Sequence, residues 1–418
     1  MPRLRRSPQP GTVRVSTLDV QHSYRRSAVV LGPVDVPPVD LLTARFAAMA
    51  AAGPEARICL QPSTAATRWR HTPALAGEVF ATTTRPPGSD PLALLSALRR
   101  RPGDGIRILA GGDYLAIDFS HGLGEVPLLD LLIGVLLGAV DPTDDAVWVP
   151  YRHRLSPLVV AGARAIGGRP QRLLPLWRQH RRNSALHDGF VDAGGTDIAP
   201  SPATRFARIP ADVVTDLRRQ RDSALPDVSM FALYTCALHD AFAATGFDVD
   251  PTVTLPFDVR RYLPEGRSTL ASFSAGLDFR LGRDSGPRGL QSDMAAAAQM
   301  ARPVANLMAG TAKTRMAMRS RRHPRWLVPS RRRVQLLHSS VGNVPHGPWS
   351  FSDPARAGIM VASDPVSPCG VTVTTASVMG SLWLTAEFHD TLFDAEKVGA
   401  ALDSVPEHAA QLLRQDLR

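Results

Sequence analysis

The stretch "AIDFSHGLGEV", residues 116–126, closes an apolar run on a single histidine, His121, and follows it with Gly122, Gly124 and Glu125. An apolar segment that stops at a histidine among glycines is the pattern of a strand delivering a proton-transfer group to a sharp loop. A turn histidine bonded to its own backbone is the plainer reading, and the surroundings decide between them. Upstream, "IRILAGGDYLAIDFS" predicts a β-hairpin around a Gly-Gly-Asp turn, so His121 directly follows its second strand. Downstream, "VPLLDLLIGVLLGAV", residues 126–140, is too short for a membrane span and carries Asp130, which predicts a buried helix.

On either side of this stretch, strands and helices alternate. "TVRVSTLDV", "SAVVLG" and "ARICLQP" read as strands, and "VDLLTARFAAMAAAG" as a helix. "DPLALLSALRRRPGDG" reads as a helix opened by an Asp cap and closed by Pro and Gly. The Gly, Asp, Ser and Pro content of "NSALHDGFVDAGGTDIAPSPATR", residues 183–205, marks a connector. It divides an N-terminal subdomain, 13–190, from a C-terminal one, 191–418, with residues 1–12 as a loose leader. The second half restarts with the helix "ADVVTDLRRQRDSA" and the helix "SMFALYTCALHDAFAATG", capped by Ser229. Strands follow in "VDPTVTLPFDVRRYLP" and "LASFSAGLDFRLG", then a helical stretch interrupted at Pro303. "GVTVTTASVMGSLWLTAEFHDTLFD" reads as two strands around a Met-Gly turn, and one helix ends the chain.

The 418 residues, 44% hydrophobic and 21% charged, are enough for two packed domains or one with two cores. The net charge of +10 is almost all arginine, Lys313 and Lys397 being the only lysines. Arginine clusters at 98–101, 178–182 and 319–333 could steer an anionic partner, although a solvated surface is the plainer reading. No zinc finger or aromatic RNA-binding signature accompanies them, so no nucleic-acid partner is expected. Cys59, Cys236 and Cys369 lack CxxC spacing, which argues against a disulfide framework and a zinc site and for buried packing. The charged N-terminus precedes no apolar core, so no targeting or transmembrane segment is expected and the cytoplasm is the default. GxSxG and HExxH are absent, and "GTAKT" lacks the upstream half of a phosphate loop. His239-Asp240 and His389-Asp390 are sequence neighbours whose side chains diverge, which suits surface or capping roles.

"SHGLGEV", residues 120–126, together with "LPFDVRRYLP", residues 255–264, resembles the condensation-domain superfamily of acyltransferases. That superfamily includes condensation domains of nonribosomal peptide synthetases, polyketide-associated and wax-ester-forming acyltransferases of actinobacteria, plant BAHD enzymes and chloramphenicol acetyltransferase. Its signature is HHxxxDG, with the second histidine catalytic. Here Ser120 replaces the first histidine, His121 is the second, Glu125 stands for the aspartate and Val126 for the glycine. "STLASFSAG", "SSVGNVPHGP" and "GSLWLTAEFHDTLFD" follow in the family's order, and the resemblance spans roughly residues 14 to 415.

The resemblance implies an α/β sandwich of two chloramphenicol-acetyltransferase-like subdomains, set as a V with a tunnel at their interface. His121 is then the general base for transfer of an acyl group from a phosphopantetheine thioester to a hydroxyl or amine acceptor in secondary-metabolite or lipid biosynthesis. The thioester is a co-substrate on coenzyme A or on an acyl or peptidyl carrier protein; no permanently bound cofactor and no metal are implied. Glu125 would form a structural ion pair with Arg260, or with Arg261. Ser120, Gly124, Ser272, Ser274 and Asn343 fall in segments that resemble tunnel-lining or oxyanion-stabilising regions, and Ser272, Ser274 and Asn343 could equally cap turns. A discrete enzyme acting in trans is expected, as a monomer by default. The second reading is a non-catalytic module of the same fold that binds a carrier protein.

Overall fold

A computed structural model describes residues 11–73, 79–83, 90–103, 105–172, 174–176, 178, 196–197, 199–281, 286–320 and 327–415. The expected hairpin forms: Arg107–Gly111 and Tyr114–Ser120 pair antiparallel, with Gly111 opposite Tyr114 and Gly112 in the left-handed region at φ 61°. Tyr114–Ser120 is the central strand of a five-stranded sheet ordered Gly358–Ser363, Arg26–Gly32, Tyr114–Ser120, Arg107–Gly111, Phe80–Thr83. Both faces are covered, which is why its strands read as unbroken apolar runs. Val29, Leu31, Ile108, Leu115 and Ile117 pack with the helix Val126–Leu137, whereas Ala28, Val30, Leu109 and Ala116 pack with Leu94, Leu95 and Leu98 of the helix Pro91–Arg99.

The second sheet has six strands ordered Ser274–Arg280, Thr252–Asp258, Gln335–Val344, Gly370–Val378, Ser381–His389, Pro202–Ile209. Gln335–Val344 runs parallel to both neighbours, and the remaining pairs are antiparallel. Helices Ala211–Ala224, Met230–Ala244, Ala395–Asp403 and Val405–Gln415 supply Leu217, Leu233, Phe242, Leu402 and Leu413 to a core with Val371, Val373, Leu384 and Phe388. The two strands around Met379-Gly380 need the positive φ found at both residues, 46° and 81°.

Several elements differ from the expected ones. In "TVRVSTLDV" the strand stops at Arg14, and Ser16 caps a helix, Thr17–His22, through a reciprocal bond with Asp19. That Ser-x-x-Asp capping box outweighs the β-branched run. The connector ends earlier than expected, because Pro202–Ile209 is already an edge strand. The helical break falls at Met300-Ala301, and Pro303 sits in the first turn of the helix Arg302–Ser320, where its missing N–H costs nothing.

Gly358–Ser363, from the second half, pairs antiparallel with Arg26–Gly32 of the first, and Val344, Trp349 and Phe351 join the first-half core. A division at 190/191 therefore does not separate the two sheets. Positions 183–195, most of the 178–182 arginine cluster, residues 321–326 and leader residues 1–10 lie outside the described residues, and residues 11–12 already belong to the strand Gly11–Arg14. Among the described residues no helix is long and apolar enough to cross a membrane.

Candidate active site

A cavity of about 600 Å³ opens where the two sheets meet. Ser27, Phe119 and Val361 of the five-stranded sheet face Thr254, Ser274, Leu337, Ser339, Thr372 and Thr374 of the six-stranded one. His121 is the first residue past Tyr114–Ser120, and strand alternation carries Phe119 and His121 to the cavity wall. The same alternation turns Ser120 away: it is buried, its hydroxyl donates to the Ser23 carbonyl at 3.2 Å, and it does not line the cavity.

The histidine loop fixes one tautomer. His121 Nδ1 lies 3.2 Å from the Gly124 carbonyl oxygen and 3.0 Å from the Ser272 hydroxyl, whose own proton points to the His121 carbonyl at 2.5 Å. With that hydroxyl proton committed, Nδ1 must be the N–H donor, which leaves the lone pair on Nε2. Nε2 has no hydrogen-bond partner among the described residues, on a side chain that lines the cavity. Burial, and then the Arg25 charge, pull the His121 pKa below 6.5 against the opposing pull of Glu125. The ring is thus held neutral and able to accept a proton.

The loop backbone is pinned from beneath. Arg57 donates to the carbonyls of Leu123 at 2.5 Å and Gly122 at 2.9 Å, and its Nη2 meets Asp19 at 2.6 Å. Gly124 contributes through its carbonyl and its lack of a side chain, since a Cβ there would run into the Leu270 carbonyl and lie 2.7 Å from Leu128. Removing the Ser272 hydroxyl takes away one Nδ1 partner while Gly124 remains. Ser272→Ala is therefore expected to slow any reaction that uses this ring as its base by up to about tenfold in steady-state assays.

Glu125 carries the tie between the sheets. It pairs with Arg260 at 3.0 Å and accepts from the Phe273 N–H at 3.0 Å, the Ser274 N–H at 3.2 Å and the Ser274 hydroxyl at 2.9 Å. Arg260 also donates to the carbonyls of Thr269 and Ala271 and meets Asp258 at 3.0 Å. Arg261 is exposed and lies over the Tyr262 ring, so it is not the partner. Burial pushes the Glu125 carboxyl up, but Arg260, His121 and the Phe273 N–H outweigh it and hold the pKa at about 2.

The expected oxyanion donors fare differently. The hydroxyl protons of Ser272 and Ser274 are committed to the His121 carbonyl and to Glu125, so neither is free to donate to an oxyanion. Asn343 is exposed and off the cavity wall. A bulge between Ser340 and Gly342 explains this: Leu337 and Ser339 pair with the cavity residues Thr372 and Thr374, but the extra residue puts Asn343 opposite Ser377, on the other face.

Sequence reasoning missed His22, Arg25 and Arg57. His22 lies with its ring centroid 5.3 Å from that of His121, and burial, with His121 next, lowers its pKa to about 3. The capping box at Ser16-Asp19 was the available signal, because it makes His22 the last residue of a helix rather than a strand position. Cys59, Cys236 and Cys369 are buried and unpaired. His389 is buried at a strand end and accepts from the Ser201 N–H at 3.1 Å rather than lying on the surface. Arg99 and Arg101 of the first arginine cluster point inward, to Glu387 and to backbone carbonyls.

No family model matches the sequence, and no curated protein matches it in sequence. Solved structures match over nearly the whole chain. The trichothecene 15-O-acetyltransferase TRI3 from Fusarium sporotrichioides superposes with a TM-score of 0.65 at 12% identity, covering 96% of this chain and 95% of its own. The first condensation domain of the calcium-dependent antibiotic synthetase gives 0.57 at 15% identity, covering 96% of each chain. The epimerization domain from the third module of tyrocidine synthetase B gives 0.55 at 11% identity, covering 99% and 98%. The chain has the α/β fold shared by condensation domains and chloramphenicol-acetyltransferase-like acyltransferases.

Proposed function

We propose that the chain transfers an acyl group from a phosphopantetheine thioester, on coenzyme A or a carrier protein, to a hydroxyl or amine, with His121 as general base. The observation that carries this reading is the setting of the His121 ring: Nδ1 lies against the Gly124 carbonyl and the Ser272 hydroxyl, which makes Nδ1 the donor and leaves Nε2 for the cavity. As the acceptor oxygen or nitrogen bonds to the thioester carbon, its proton passes to Nε2. Collapse of the tetrahedral intermediate breaks the C–S bond, and the Nε2 proton passes to the departing sulfur. Enclosure between the sheets limits access of water that would hydrolyse the thioester.

The base works only when neutral, and its pKa is lowered, so kcat/KM is expected to stay flat as pH falls through 6.5 and to drop only below it. A profile that falls with a midpoint at or above 6.5 would contradict a buried, desolvated base. The function itself is tested by incubating the chain with acyl-coenzyme A or acyl-carrier protein and a panel of alcohols and amines, following thiol release and product mass. Acceptor-dependent thiol release supports the reading. Saturable carrier binding without any product would replace it by the non-catalytic module.

A further inference from the structure

Arg25 is only 8% exposed, lines the cavity, and gives its carbonyl oxygen to the His121 N–H at 2.8 Å. Its Nε donates to the Asp364 carbonyl at 3.0 Å, while Nη1 and Nη2 have no hydrogen-bond partner among the described residues. Neither is shut off in the packed interior. The carboxylates around it are held by others. Asp364 accepts from the Arg26 N–H at 2.8 Å and lies 3.6 Å from Arg99; Glu387 is bidentate with Arg99 and bonded to Thr204. Glu125 and Asp258, the acids on the cavity wall, both belong to Arg260.

A guanidinium drawn from water without a carboxylate of its own costs folding free energy, and burial lowers its pKa accordingly. Its two free ends form a planar fork whose geometry matches a carboxylate. Its charge is also felt at the His121 ring, so a group bound there sits near the reacting centre.

We propose that Arg25 forms a carboxylate-binding subsite in the cavity, and that one of the two substrates carries a carboxylate near the bond being formed. The carboxylate belongs either to the acyl group, as in the mono-thioester of a dicarboxylic acid, or to the acceptor, as in an amino or hydroxy acid. This deepens the acyl-transfer reading and rests on it, but carboxylate binding is measurable without turnover.

Titration calorimetry with succinate and with its neutral diamide, on wild type, Arg25→Gln and Arg25→Lys, reads the subsite directly. Succinate should bind wild type and bind Arg25→Gln about ten- to a hundredfold more weakly, with Arg25→Lys in between and no binding of the diamide. Arg25→Gln removes a buried cation whose neighbouring carboxylates are paired elsewhere, so its melting temperature should stay close to that of wild type. The transfer arm compares succinyl- with butyryl-coenzyme A, and serine with serinamide. The acidic member of one pair should be preferred, and the preference should fall about ten- to a hundredfold in Arg25→Gln; the pair affected identifies the substrate bearing the carboxylate. Succinate binding that is absent from wild type or equal in Arg25→Gln would overturn the subsite, as would a preference ratio unchanged by the substitution. Arg25-dependent binding without any turnover would keep the subsite and remove the acyl-transfer reading.

Discussion

Replacing His121 by alanine is expected to lower acyl transfer by about a hundred- to ten-thousandfold while leaving the fold intact. The loss is large because, among the described residues, no other group near His121 is set up to take the proton. His22, the nearest imidazole, has a pKa held at about 3, which makes it too weak a base to substitute efficiently. The fold should tolerate the change because Arg57 and Glu125 still hold the loop when the imidazole's bonds to Gly124 and Ser272 are lost. Steady-state transfer rates with circular dichroism and a melting curve on the same sample check both halves. Turnover within a few-fold of wild type would remove His121 as the base.

The second large effect is on stability. Glu125→Ala is expected to cost about 3–5 kcal/mol in denaturant unfolding, because it leaves Arg260 without its buried partner and the Phe273 and Ser274 N–H groups without an acceptor. Asp258 still meets Arg260, but from a more exposed position, and offsets little of this. The pH dependence has a definite sign. With its folded pKa depressed to about 2, Glu125 contributes stability that is full above the ordinary carboxylate value of 4.5 and is lost as pH falls toward 2. His22, depressed to about 3, takes up a proton on unfolding below 6.5 and adds a loss of about 1.4 kcal/mol per pH unit. Both act in the same direction, so the chain should be acid-labile. Glu125→Ala should flatten the steepest part of that curve, and an unchanged slope would contradict the ion pair's role.

The hairpin, the buried helix after it and the capped helices were legible because periodicity and cap residues agree locally at each. His121 and the Glu125–Arg260 pair could be named from the motif and its neighbours. What sequence could not supply depends on distant contacts. Gly358–Ser363 looks like any short strand, and only packing places it beside Arg26–Gly32. Asn343 sits in a segment whose alternation points it at the cavity until one bulged residue reverses the face. Arg25 was one arginine among 48 basic residues, and its distinction lies in which carboxylates are taken by others, a property of the assembled cluster.

Acyl transfer as proposed requires that the His121 Nε2 lone pair open into the cavity and that a thioester bind there. Alkylation by a bromoacetyl pantetheine thioester, mapped by peptide mass, measures this directly. The expected result is modification at His121 in the peptide spanning 116–126, suppressed by a non-reactive acetyl pantetheine ether and lost in His121→Ala. Modification confined to surface residues, with His121 unlabelled at full cavity occupancy, would contradict it.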